Sequence, residues 1–302
     1  MSRKRNQRTA QTASPSAPCA ATLGRMTTSD PAQTNDPTPT SDPPSEPPKA
    51  TDANRGRRKL GFGGEVARLY ARYRRGYPAA AIDAIVDAFR LSSNDVVVDL
   101  GCGTGQLTVP MAARVRSVVG IDPEPDMLWL ARGHDENVPN VSWVLGSDEE
   151  LPVIAASLGN CPIGAVTVAT ALHWMDDLVV FQTAQKLVRP GGGVAVVTNG
   201  MPLWHLDTDW SRLLRGFLEG WIGRPATMGC GTDDEAQQRY RDHLVAAGLD
   251  VSEFRISYTD YLDVDRLIGG VLSSFPVHML PHGEERQHFR DGLREEIGRA
   301  HV

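Results

Sequence analysis

Residues 96–107, VVVDLGCGTGQL, constrain this chain more than any other stretch. A continuous β-branched run reads as a strand buried on both faces, which belongs in a parallel sheet covered by helices. Gly101, Gly103 and Gly105 end that strand at once and let backbone approach a ligand closely before the next helix. The spacing is GxGxG, not the GxGxxG of dinucleotide-binding turns, and an acid, Asp99, sits two residues before the first glycine. A carboxylate there repels a pyrophosphate but accepts hydrogen bonds from an ammonium group.

The pattern that follows fits the same architecture. Strand-like runs recur at 118–121, 141–145, 163–170 and 194–198, with helical patterns at 126–132 and 178–188 between them. Upstream, Pro78 suits a helix start, and Ile82, Ile85, Val86 and Phe89 follow at helical spacing. Strands alternating with helices predict an α/β fold with a Rossmann-like, doubly wound, mostly parallel sheet. The second strand ends in Asp122, where an acid in such a sheet accepts from both hydroxyls of a ribose. Residues 202–222 carry Trp204, Trp210, Trp221, Leu213, Leu214 and Phe217, a helical insertion that serves either as packing or as the wall of a substrate pocket. A helix at 234–247, a strand at 251–261 and helical stretches around 265–274 and 284–297 complete the pattern.

The chain divides into a tail and a domain. Of 302 residues, the first 58 hold 9 of the 21 prolines and carry a charge of +4, while residues 59–302 carry −10. A segment of Pro, Ser, Thr, Ala and Asp with almost no large apolar side chain is expected to be disordered. The acidic domain argues against a nucleic-acid partner. No apolar run approaches the ~18 residues of a membrane span, so no membrane partner is expected. Cys19, Cys102, Cys161 and Cys230 are far apart in sequence and suggest neither a disulfide scaffold nor a zinc ribbon, which makes a cytoplasmic location the default. No metal site is expected.

Five motifs occur in order: DLGCGTG at 99–105, GID at 120–122, GSDEELP at 146–152, ALHWMD at 171–176 and RPGG at 189–192. Together they resemble the class I S-adenosylmethionine-dependent methyltransferases, over about two thirds of the chain. The resemblance implies that Gly101, Cys102 and Gly103 pass under the methionine part of S-adenosyl-L-methionine, with Asp99 at its amino end. Ala171 would lie beside them, Asp122 would bind the ribose, and Met127 would pack on the adenine face. Asp148 and Glu149 compete for the adenine amine. Tyr70, Tyr73, Arg74, Tyr77 and Pro78 match the YxxYRPxYP element of a small-molecule group, except that Arg75 replaces proline. In look-alikes this element closes over the cofactor and an arginine pairs with the methionine carboxylate. Arg74 and Arg75 are both candidates.

The implied activity is methyl transfer to a small-molecule acceptor by in-line displacement. His173, just past the fourth strand of the pattern, is the candidate catalytic base, with pocket shaping as its other reading. A catalytically silent cofactor-binding or partner-binding protein of the same fold, and a nicotinamide-dependent oxidoreductase, are the alternatives. No strand pattern follows 284–297, so the sheet is expected to lack its last antiparallel strand. The final six residues, 297–302, match the translation of a common sequencing adapter and are expected to be non-native.

Overall fold

The computed structural model describes residues 12–14, 19–26, 61–134, 137–227 and 230–299. The strands are β1 (Thr12–Ser14), β2 (Cys19–Arg25), β3 (Val96–Leu100), β4 (Ser117–Asp122), β5 (Val141–Leu145), β6 (Ile163–Ala169), β7 (Val188–Thr198), β8 (Asp250–Ile256) and β9 (Asp260–Leu262). Seven of them form one sheet in the order β5-β4-β3-β6-β7-β2-β8, and β1 pairs with β9. The pairings β3 with β4, β4 with β5, β3 with β6 and β6 with β7 are parallel. The doubly wound α/β sheet read from the sequence is therefore present. The run predicted at 251–261 divides into β8 and β9 around Ser257, Tyr258 and Thr259.

Alternation along the strands sends side chains to two helical layers. Val96, Val98 and Leu100 pack toward Leu151 and Ala155 of α5 (Leu151–Ser157), Phe181 of α6 (Asp177–Leu187) and Leu244 of α8 (Asp234–Ala246). Val97 faces Ile82, Ile85 and Phe89 of α2 (Ala79–Phe89) and Met111 of α3 (Thr108–Ala112).

The sheet is closed from an unexpected direction. Strand β2 lies between β7 and β8 and runs antiparallel to both. The expectation of a structureless tail is thus corrected for residues 19–25, and the expected gap in the sheet is filled from the N-terminal side. The signal was missed because CAATLGR is mostly small side chains and carries one large apolar residue, Leu23. Small residues are what the slot requires: a Cβ at Gly24 would fall 2.7 Å from Leu244 Cδ2. Leu23, 1% exposed, fills the opposite face against the α2 layer. The expectation is corrected likewise for β1 at residues 12–14, which pairs with β9; residues 1–11, 15–18 and 27–58 of the predicted tail, and residues 300–302 of the suspected artefact, lie outside the described residues.

A third core sits above the carboxyl ends of the parallel strands. Helices α1 (Glu65–Tyr73), α7 (Asp209–Ile222), α9 (Val264–Leu272) and α10 (Gly283–Arg299) bury Val66, Leu214, Leu218, Ile268, Val271 and Phe289 against one another. Arg286 of α10 grips Glu65 of α1 through both carboxylate oxygens. Four helices from three separate stretches of chain thus form one cap.

Candidate active site

The cap and the sheet enclose a cavity of about 1080 Å³. Pockets for one ligand run to ~300–1,000 Å³, so this one stands at the large end of that range. It opens where the strand order reverses between β3 and its neighbours β4 and β6, the position at which open α/β sheets bind ligands.

The loop after β3 forms its floor. Gly101 has φ +65° and Gly103 φ +55°, a region that L side chains rarely adopt. A Cβ on Gly101 would sit 2.4 Å from the Ala171 Cβ. The loop is pinned from the neighbouring strand. Asp122 Oδ2 accepts from the Gly103 N–H at 2.8 Å and Oδ1 from the Glu124 N–H at 2.9 Å. Each carboxylate oxygen keeps a lone pair for one further donor, so Asp122 can accept from a pair of adjacent hydroxyls. Burial pushes its carboxyl up to about 6, against the pull of those two N–H groups.

Tyr70, Arg74, Gly101, Gly103, Asp122, Met127, Asp148, Glu149, Ala171 and His173 all line the cavity, so ten of the twelve predicted residues are brought together. Asp99 and Cys102 are not on its wall. On β3, Asp99 shares the Val97 face and points into the helical layer, where it accepts from Thr108 Oγ1 at 2.6 Å and Thr167 Oγ1 at 2.7 Å. Both its oxygens are engaged by buried hydroxyls, and burial raises it to about 6. In this position Asp99 ties α3 and β6 to β3. Cys102, 6% exposed, is turned inward with its thiol pushed well up by burial.

The turn after β6 carries the predicted base. Thr170 holds φ +53°, a strained conformation for a β-branched residue, and its Oγ1 shares a 3.0 Å hydrogen bond with the Tyr77 hydroxyl. That bond ties the segment after α1 to the sheet. His173 follows, and burial together with the nearby Arg74 guanidinium lowers it to about 4. It is an unprotonated imidazole at neutral pH. Trp174 meets Phe62 edge-on with ring centroids 6.0 Å apart.

The two arginines separate. Arg75 lies 3.9 Å from the Asp260 carboxylate. Arg74 stacks over Tyr70, donates through Nη2 to Ser274 Oγ at 2.9 Å, and has a buried Nε with no partner. The insertion fills both roles read for it: Leu214 belongs to the cap core, while Leu218 and Ile222 also face the cavity. Sequence reasoning missed Phe62, Gln106, Thr170, Asn199, Arg224 and Arg266 on the wall, for no periodicity or motif marks them.

Comparison with known proteins agrees with this geometry. Residues 97–192 match the model of a methyltransferase domain family. An uncharacterized methyltransferase of Mycobacterium tuberculosis is 36% identical over 214 residues, 71% of this chain and 76% of the relative. The chain belongs to the class I S-adenosylmethionine-dependent methyltransferases. A solved structure from Anaeromyxobacter dehalogenans, described as a type II methyltransferase, shares the methyltransferase fold at a TM-score of 0.51 and 20% identity, covering 75% of this chain and 90% of its own. A malonyl-[acyl-carrier protein] O-methyltransferase of Hahella chejuensis is 28% identical over 178 residues, 56% of this methyltransferase and 62% of the relative. Among the described residues no helix is long and apolar enough to cross a membrane, and no group of three metal-ligating side chains occurs.

Proposed function

We propose that the chain transfers a methyl group from S-adenosyl-L-methionine to a small-molecule acceptor, and that the cavity holds the two side by side. The observation that carries this reading is the single cavity whose floor is the glycine loop and whose acid, Asp122, keeps two lone pairs toward it. The residues present fit the cofactor. Gly101 and Gly103 leave space where any side chain would intrude, and Arg74 offers a cation with no carboxylate partner among the described residues.

In this proposal Asp122 accepts from the ribose hydroxyls and Met127 packs on the adenine. Asp148, less exposed than Glu149, takes the adenine amine. Arg74 pairs with the methionine carboxylate, because Arg75 is already beside Asp260. The Tyr70, Tyr73, Arg74 and Tyr77 element acts as the closing segment over Gly103, held down by the Tyr77 bond to Thr170. The bound cofactor supplies an activated methyl on a sulfonium, which is its own leaving group. The chain's part is alignment and exclusion of water, which the cap provides. His173 is the acceptor-side imidazole. Being unprotonated it can accept a proton, and its lowered basicity suits acceptors that give up a proton readily.

Calorimetric titration with S-adenosylhomocysteine tests the cofactor site. Binding is expected in the wild type and its loss in Asp122→Asn. Absence of binding in the wild type would overturn the reading.

A further inference from the structure

The lining of the cavity divides by charge between the chain segments that supply it. The wall supplied by the loops after β3, β4, β5 and β6 carries Asp122, Glu124, Asp148, Glu149 and Asp176. The wall supplied by residues from Asn199 onward carries no Asp or Glu at all. What it does carry is Arg224, Arg266 and an apolar surface that includes Trp204, Leu218, Ile222 and Phe275. Neither arginine is in an ion pair with a carboxylate among the described residues. Among the described residues the Arg266 guanidinium donates to the Tyr261 carbonyl at 3.4 Å, and the Arg224 guanidinium makes no hydrogen bond or ion pair. In a domain of net charge −10, a stretch of wall with two unneutralised guanidinium groups and no acid is a selective surface.

We propose that the methyl acceptor is an organic anion with an apolar body, its charged group held by Arg224 and Arg266 and its body laid against the cap. This rests on the methyltransferase reading of the same cavity. Several features favour an anion over a cation or a neutral amphiphile. Guanidinium groups present forked donors that match carboxylate, sulfate and phosphate oxygens alike. The acids supplied by the loops after β3, β4, β5 and β6 repel the same anion, which favours its charged group at the arginine-bearing wall. Apolar lining with a few convergent polar groups is the usual make-up of a site that orients an amphiphile.

The experiment uses the full chain without cofactor and follows tryptophan fluorescence, because Trp174 and Trp204 stand on the wall. The probes are octanoate, octyl sulfate, octylamine and octanol. Octanoate and octyl sulfate are expected to bind and to weaken as salt rises, with octanol weaker and octylamine weakest. Arg224→Gln combined with Arg266→Gln is expected to reduce octanoate affinity about tenfold, as the loss of two solvent-accessible ion pairs should. Both side chains are exposed, so the double variant is expected to keep the wild-type melting temperature and its affinity for S-adenosylhomocysteine. Octylamine binding as tightly as octanoate, or an unchanged octanoate affinity in the double variant, would overturn the proposal. Failure of the methyltransferase reading shows separately, as absence of S-adenosylhomocysteine binding in the wild type.

Discussion

The floor of the cavity and its cap are built by opposite means. The floor is backbone: two glycines at positive φ, an acid whose oxygens hold the loop's own N–H groups, and turns that directly follow β3, β4 and β6. The cap is side chain: apolar residues from α1, α7, α9 and α10 meet across up to about 230 residues of sequence. Each turn of a backbone site must be written in its own contiguous stretch, since only neighbours in sequence shape a turn. A side-chain site can be assembled from anywhere, and its parts carry no local mark. In the proposed function the floor sets the cofactor and the cap sets the acceptor, so the two should respond to different substitutions.

The largest effect should come from breaking the cap alone. Phe289, fully buried among Phe217, Trp221 and Phe275, is expected to cost about 3–5 kcal/mol as Phe289→Ala. Calorimetry should show an earlier melting transition, while S-adenosylhomocysteine still binds at temperatures below it. If binding vanished with the cap, floor and cap would not be separable.

Asp122→Asn attacks the floor alone. Losing the carboxylate that the hydroxyls donate to should weaken S-adenosylhomocysteine on the order of 100-fold, about 3 kcal/mol. Octanoate binding at the cap should be unaffected.

Acidity sharpens the contrast further. Asp122 titrates at about 6 in the folded chain, so it is ionised above that pH and accepts as a carboxylate only there. Between pH 7.5 and pH 5, S-adenosylhomocysteine affinity is expected to fall about tenfold, one pH unit below that midpoint. Stability runs the other way. A carboxyl raised from an unfolded value near 3.8 to about 6 favours the folded state when protonated. That contribution is present below about pH 4 and is lost as pH rises through 6. Relative to wild type without cofactor, Asp122→Asn should accordingly gain melting temperature between pH 4 and pH 7.5.

The smallest effect is at the junction of the two. Tyr77→Phe removes the bond to Thr170 and is expected to cost about 1 kcal/mol of stability, read by urea denaturation. A change in S-adenosylhomocysteine affinity larger than the change in stability would show that the closing segment belongs to the floor.

The sheet was legible because β3, β4, β6 and β7 are buried strands whose β-branched runs stand out from the helices between them. The floor was legible for the reason given above, down to Gly101, Gly103 and Asp122. For Asp99 the motif gives the residue's place along a strand and not the face it projects from. Its neighbour Val97 already pointed into the helical layer, and strict alternation required Asp99 to follow. Arg224 and Arg266 were invisible because an isolated arginine has the same local appearance whether it faces solvent or a cavity. Strand β2 was invisible because its fitness lies in being small, which in sequence looks like nothing in particular.

That strand also sets a timetable. Residues 19–25 pair with partners at 193–198 and 250–256, roughly 170 to 230 positions later. At ~5–20 residues per second of synthesis, β2 leaves the ribosome about 10–50 s before the groove that receives it exists. Contacts of such long range form late and slow the overall reaction. The first strand of the seven-stranded sheet to be made is thus among the last to be used, and its small, weakly apolar composition is what lets it wait in water without seeking another partner.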